Sequence, residues 1–413
     1  MAIIRPFKGI RPAGERANEI AALPYDVYNR AEAKEEVKKN PLSFLKIDRA
    51  ETNFDDDVDI YDPCVYQKAH DILWQMVDEG YFVRDTDDYY YVYELTMNHR
   101  IQTGIVACAS ICDYENQIIK KHENTRADKE LDRIAHVDTV NAQTGPIFLA
   151  YRAKKTIDTI VDKTKQQEAI YDFTADDRIR HRVFIIHEKE DIKTLREAFA
   201  SMDSIYIADG HHRAASAVKV GQRRRNAHGS CTGEEEFLYF LSVLFPDDQL
   251  MIMDYNRVIK DLNGLDSKSF MTKIREFVEI LDSSQEELHP VEKGQFAMYF
   301  ENTWYLCGIR ETFLSDDPVE GLDVSILQKA FLEPVLGIED PKTSSRIDFV
   351  GGIRGYQELE RRCHDDSVVA FGMYPTSILE LFAVADANLL MPPKSTWFEP
   401  KLRSGLFIHE LDQ

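Results

Sequence analysis

Asp209-Gly210-His211-His212-Arg213 sets a carboxylate, a glycine, two imidazoles and a guanidinium in consecutive positions. These types together suit an oxyanion. Arginine offers a forked pair of donors and histidine another N–H. A helix starting here would add backbone N–H groups and the positive end of its dipole. Gly210, His211, His212 and Arg213 are therefore candidate phosphate contacts. Asp209 is a candidate Mg2+ ligand, because that ion prefers carboxylate and phosphate oxygens. Zinc fits poorly: adjacent helical residues diverge by about 100°, whereas a two-histidine zinc pair wants i, i+4. The alternative is an aspartate cap followed by a polar helix surface.

Three further stretches carry chemistry. In "KKHENTRADKELDRIAH", Glu123 is the candidate general base and His122 a substrate contact. Arg126, Lys129 and Arg133 fall at i, i+3, i+7, one cationic stripe able to steer an anion. Thr125 is the expected cap of that helix, and pairing of Arg126 with Glu130 is the bland alternative. In "MPPKSTWFEPKLRSG" three prolines forbid regular structure, yet Trp397, Phe398 and Leu402 need burial, so the loop should be docked. Lys394, Lys401 and Arg403 would then be fixed cations near phosphate, or members of a packing clasp. Near the N-terminus, "RPFKGIRP" offers Arg5, Lys8 and Arg11, and "PYDV" offers Asp26 as a second substrate-side carboxylate or simply as part of a structured loop.

The elements that must position these groups follow from pattern. Ser204–Ile207 reads as strand, Asp209-Gly210 as turn, and the alanine-rich run from His211 as helix ending near Gly221. "QKAHDILWQMVDEGY" has a helical period and a glycine stop. "DYYYVYELTM" and "QTGIVACASICDY" read as a hairpin turned at "NHR", and "RHRVFIIHE" as a strand. "EEFLYFLSVLFP" fits a buried strand or helix. After "LSDDPVEG", strands and helices alternate, which argues for a small α/β lobe. The expected fold is mixed α/β (α+β) and multi-domain: 1–95, 96–265 with both histidine motifs, and 266–413.

Composition bounds the rest. The chain has 413 residues, 44% hydrophobic and 30% charged, with a net charge of −22. Such a surface repels nucleic acid, and Arg223, Arg224 and Arg225 read first as cations at a helix C-terminus. The six cysteines are scattered, which suits reduced thiols and a cytoplasmic setting. No apolar run reaches the ~20 residues of a membrane span, and the first residues do not read as a secretory leader. Cys108 and Cys112 read as core. Gly351, Gly352 and Gly355 read as a tight turn, and neither a P-loop nor a G-x-S-x-G elbow is present.

On "RPFKGIRP", "PYDV", "NPLSFLKIDR", "HENT", "IADGHHR", "DYNRV", "LDVSIL" and "MPPKSTWFEPKLRSG", the chain is identified as a member of the DUF1015 family over essentially its full length. "ADGHHR" also resembles an element of free-serine kinases of the ParB/sulfiredoxin-like fold. There it opens a helix and binds nucleotide phosphates, while a glutamate elsewhere serves as base. The resemblance implies ATP or ADP as co-substrate with Mg2+. Asp209, His211, His212 and Arg213 would lie at the phosphates, and serine or phosphoserine would be the substrate. Glu123 is assigned as base on chemistry alone. The expected activity is small-molecule phosphotransfer; the alternatives are a phosphatase or nucleotide hydrolase, and a non-catalytic nucleotide sensor.

Overall fold

The computed structural model describes residues 1–412. They form two compact units: Met1–Leu250 with Pro400–Gln413, and Met251–Glu399. Residues 1–95 therefore share a unit with the histidine motifs, and the last residues of the chain belong to that same unit. The second unit is an insertion whose two ends pair with each other, Met251–Met253 running antiparallel to Trp397–Glu399.

The first unit is built on a mixed sheet. Its strand order is Ile119–Lys120, Ile205–Asp209, Ile147–Tyr151, Tyr239–Pro246, Arg100–Ser110, Tyr90–Met97, Arg180–Ile186 and Tyr171–Thr174, with Ile4–Arg5 added on Arg100–Ser110. The expected hairpin is present, and Asn98 and His99 take positive φ in its turn. Such conformations favour two-residue hairpins of right-handed twist. "EEFLYFLSVLFP" resolves as strand. Tyr239–Pro246 lies between two other strands with nearly every residue buried, so its unbroken apolar run gives no period-two signal. Ile205, Ile207, Leu149, Ile147, Phe240 and Leu244 meet Ala214, Ala217, Val218 and Val220 of the following helix in one core.

That helix, His211–His228, runs well past the expected stop at Gly221. Gly221 is a contact, not a terminator: a Cβ there would lie 2.4 Å from the Phe237 carbonyl oxygen and 2.8 Å from Ile111 Cδ1. The stop falls at Gly229, φ 81°. Two of the three arginines before it are paired, Arg224 with Asp138 and Asp412 and Arg225 with Glu115. The second motif helix, Ala127–Val140, begins without a side-chain cap, because the Thr125 hydroxyl donates to Glu130 Oε2 at 2.7 Å instead.

The second unit has a six-stranded sheet in the order Val278–Ser284, Thr303–Ile309, Gln295–Phe300, Val369–Met373, Tyr255–Ile259, Ile347–Gly351. Every pair is antiparallel, so the strand–helix alternation read from the sequence does not produce parallel crossovers here. Trp304 is fully buried in its core, and its indole N–H donates to Glu360 at 2.7 Å. Among the described residues, no helix is long and apolar enough to cross a membrane.

Gly221→Ala tests the close packing. Alanine favours a helix by about 1 kcal/mol over glycine, but the methyl meets backbone that cannot swing aside. Urea denaturation should show a net loss of about 1–3 kcal/mol.

Candidate functional site

Asp209 ends its strand and Gly210 turns the chain at φ 90°, ψ 32° before the helix begins at His211. Left-handed backbone of this kind favours glycine, which has no Cβ to clash. The empty space above it is used. A Cβ at Gly210 would lie 3.1 Å from Arg213 Nε, so the guanidinium folds back against the turn. Arg213 Nη1 donates to the Pro146 carbonyl at 2.6 Å. Its Nε and Nη2 groups make no hydrogen bond among the described residues.

Asp209 Oδ1 accepts the Gly210 N–H at 2.9 Å, and Oδ2 lies 3.3 Å from Lys401 Nζ. Burial alone would raise this carboxyl. Lys401, Arg213 and the Gly210 N–H outweigh it and hold Asp209 well below the usual carboxylate range. The carboxylate side chain is 36% exposed, so one face remains open to a ligand.

The two histidine motifs converge. The His122 backbone N–H lies 3.5 Å from His211 Nε2, and the two rings pack edge to face with centroids 4.4 Å apart. Both rings are buried, His122 at 2% and His211 at 7% exposure. Desolvation pushes His122 down to about 4, against a backbone hydrogen bond at Ile207. Desolvation and the neighbouring His122 drive His211 well below its ordinary value. Neither is a cation near neutral pH. His122 Nδ1 and His212 Nδ1 are buried with no hydrogen-bond partner. His212 is also lowered by desolvation, and Asp26, Arg126, Asp128 and Glu130 are the charges that face it. Glu123, half-buried, follows His122 directly in the loop before Ala127.

The remaining expected cations are placed differently. Arg126 is exposed and pairs with Asp128 at 2.9 Å. Arg133 is buried, pairs with Asp132 at 2.9 Å and stacks 4.2 Å from the Tyr25 ring centre. Arg403 is buried between Asp177 and His181, whose ring stacks against Phe173 and Tyr93. Lys394 belongs to the second unit, with φ 60° and its Nζ 5.5 Å from the Tyr255 ring centre. Its carbonyl accepts from the buried Arg257.

Sequence reasoning missed a small cavity of about 30 Å³ beside Arg213, lined by Tyr25, Asp48, His136, Thr144 and Ser404 among others. Asp48 is 4% exposed and accepts the Thr144 hydroxyl at 2.7 Å. His136 Nε2 contacts the Ile47 carbonyl at 3.2 Å. The available signal was an aspartate within the apolar "SFLKID" run, since a buried carboxylate needs partners.

The chain belongs to the family described as protein of unknown function (DUF1015), matching it over residues 4–325. No curated protein matches. Among solved structures, a free serine kinase variant in complex with AMP is 15% identical, with a TM-score of 0.34, 74% of this chain and 92% of that one being covered. SbnI from Staphylococcus aureus, truncated at its C-terminus, is 12% identical with a TM-score of 0.36 over 72% and 85% of the two chains. A conserved hypothetical protein from Pyrococcus furiosus is 16% identical with a TM-score of 0.33 over 73% and 95%.

The neutral histidines have a consequence in acid. His122 and His136 sit near 4 and His181 near 3, each lowered first by desolvation. The unfolded chain protonates near 6.5, so it binds protons there that the folded chain does not. Stability contributed by these rings is present above about 6.5 and is lost as pH falls toward 4. Thermal unfolding between pH 7 and 4.5 should show a falling Tm, and His122→Asn should flatten that fall.

Proposed function

We propose that the first unit catalyses phosphoryl transfer between a nucleotide, ATP or ADP, and a small hydroxyl-bearing acceptor. Serine, or phosphoserine in the reverse direction, is the favoured substrate. The observation that supports this most directly is Arg213. Its guanidinium lies against Gly210 at the first turn of an 18-residue helix, with Nε and Nη2 uncommitted. Forked donors, outward backbone N–H groups and a helix dipole at one point suit a phosphate group. The "ADGHHR" resemblance to the kinase element supports the same reading.

In this mechanism Arg213 and Lys401 hold the phosphates. Arg126, facing His212, adds positive charge at the entrance to the site. His211 and His122, being neutral, shape the pocket and contribute as hydrogen-bonding groups, not as charges. Asp209, whose side chain is 36% exposed, would hold a Mg2+ ion, which is usually bound through one or two carboxylates. That ion would neutralise charge on the transferring group. Glu123 accepts the acceptor's hydroxyl proton as its oxygen attacks phosphorus, and the bond from phosphorus to the nucleotide oxygen breaks. The nucleotide leaves one phosphate shorter. Arg133 and Arg403 act as positioning residues, holding the Tyr25 and Asp177 segments against the site.

Calorimetry with ATP and ADP, with and without Mg2+, tests the grip. Arg213→Ala removes charge-assisted bonds worth about 1.5–3 kcal/mol, so affinity should fall about ten- to a hundredfold. Unchanged affinity would remove the assignment. Glu123→Gln should retain nucleotide binding while phosphorus NMR shows phosphoserine formation slowed by about 10²–10⁴. Nucleotide consumed without any acceptor would instead mark a hydrolase, and binding without turnover a sensor.

A further inference from the structure

At the opposite end of the His211–His228 helix the chain turns through a short loop, "HGSCTGEE", that closes His228, Cys231 and Glu235 on one another. One ligand atom from each lies within 4.8 Å of the others. We propose that these three residues bind a thiophilic divalent metal ion of the Zn2+ class. Along the helix axis this point is about 26 Å from His211, at about 1.5 Å per residue, so the site is separate from the phosphate site.

Each ligand is prepared by its neighbours. His228 Nδ1 lies 3.1 Å from the Ser230 carbonyl oxygen. A carbonyl only accepts, so Nδ1 carries the proton and the Nε2 lone pair is left for a metal. Glu235 Oε1 accepts from the Thr232 backbone N–H at 2.6 Å and from its hydroxyl at 3.0 Å, filling that oxygen. Oε2 accepts the Gly233 N–H at 2.9 Å. Cys231 is a half-buried free thiol that packs on the first unit's core. It loses its proton on binding the ion.

The loop is also anchored. Tyr239 donates to the Gly233 carbonyl at 2.9 Å, Arg5 to the Glu234 carbonyl at 2.8 Å, and the His228 and Phe237 rings lie 6.1 Å apart. Little reordering is needed to close the three ligands on an ion. Sulfur and imidazole with one carboxylate select Zn2+ or Co2+ over Mg2+ or Ca2+, which want oxygen. Three protein ligands leave a fourth tetrahedral position for water.

Titrating the reduced full-length protein with Co2+ alone tests this. One equivalent per chain should produce a thiolate-to-cobalt charge-transfer absorption with tetrahedral ligand-field bands, which Zn2+ then abolishes. Cys231→Ser should remove the charge-transfer absorption while circular dichroism is unchanged, and Cys64→Ser, at an exposed thiol elsewhere, should keep it. His228→Gln should weaken Zn2+ binding at least about 100-fold, more than loss of an outer-shell partner. A band that persists in Cys231→Ser, or no band in the parent protein, overturns the proposal. The His228→Gln result decides independently if the serine variant fails to fold.

Discussion

A single left-handed residue between strand and helix governs the arrangement of the first unit. Because Gly210 turns at φ 90°, the helix His211–His228 leaves the sheet with its first turn uncapped by any side chain. Arg213 can then fold back onto the backbone that a Cβ would have covered. Asp209, just before the turn, faces Lys401 across 192 residues of sequence. That pair is partly solvated, and pairs of this kind contribute little to stability, about 0–1 kcal/mol. Its consequence is positional: it ties the C-terminal segment to the strand end where the charged groups gather.

Burial decides which of the many polar residues carry charge. The chain is strongly acidic overall, so an anion must be met by cations gathered locally. The histidines do not supply them. Packed edge to face and desolvated, His122 and His211 stay neutral, and their cost is a fold that resists protonation only down to acid pH. Arg133 and Arg403 are satisfied by Asp132 and Asp177 inside the unit. What remains at the turn is Arg213, together with Lys401 and the open face of Asp209. The same helix ends in a quite different chemistry, a loop of soft and hard ligands, so one rigid rod separates two polar sites.

Much of this was legible in order along the chain. The strand, turn and start of the helix around Asp209 follow from Ile-Tyr-Ile, Asp-Gly and the alanine run, and the hairpin from two strand-like runs separated by the polar Asn-His-Arg. Local pattern failed where a residue's reason was a distant neighbour. Gly221 reads as a helix stop because glycine usually is one; here the Phe237 carbonyl lies where its side chain would be. Thr125 reads as a cap, but Glu130 takes its hydroxyl. Tyr239–Pro246 reads as strand or helix because a strand covered on both edges and faces shows no alternation.

The sequence by itself determined the chemical types at the turn, the helix behind it, the acidic surface and the docking of the proline-rich tail, since these depend on residue identity and near neighbours. Only the tertiary structure decided that His122 would stack on His211, that Lys401 would reach Asp209, and that Arg133 and Arg403 would be buried in ion pairs. The physical reason is that charge state and reach depend on desolvation and through-space distance. Both are set by which segments pack together, and a linear pattern carries no record of that.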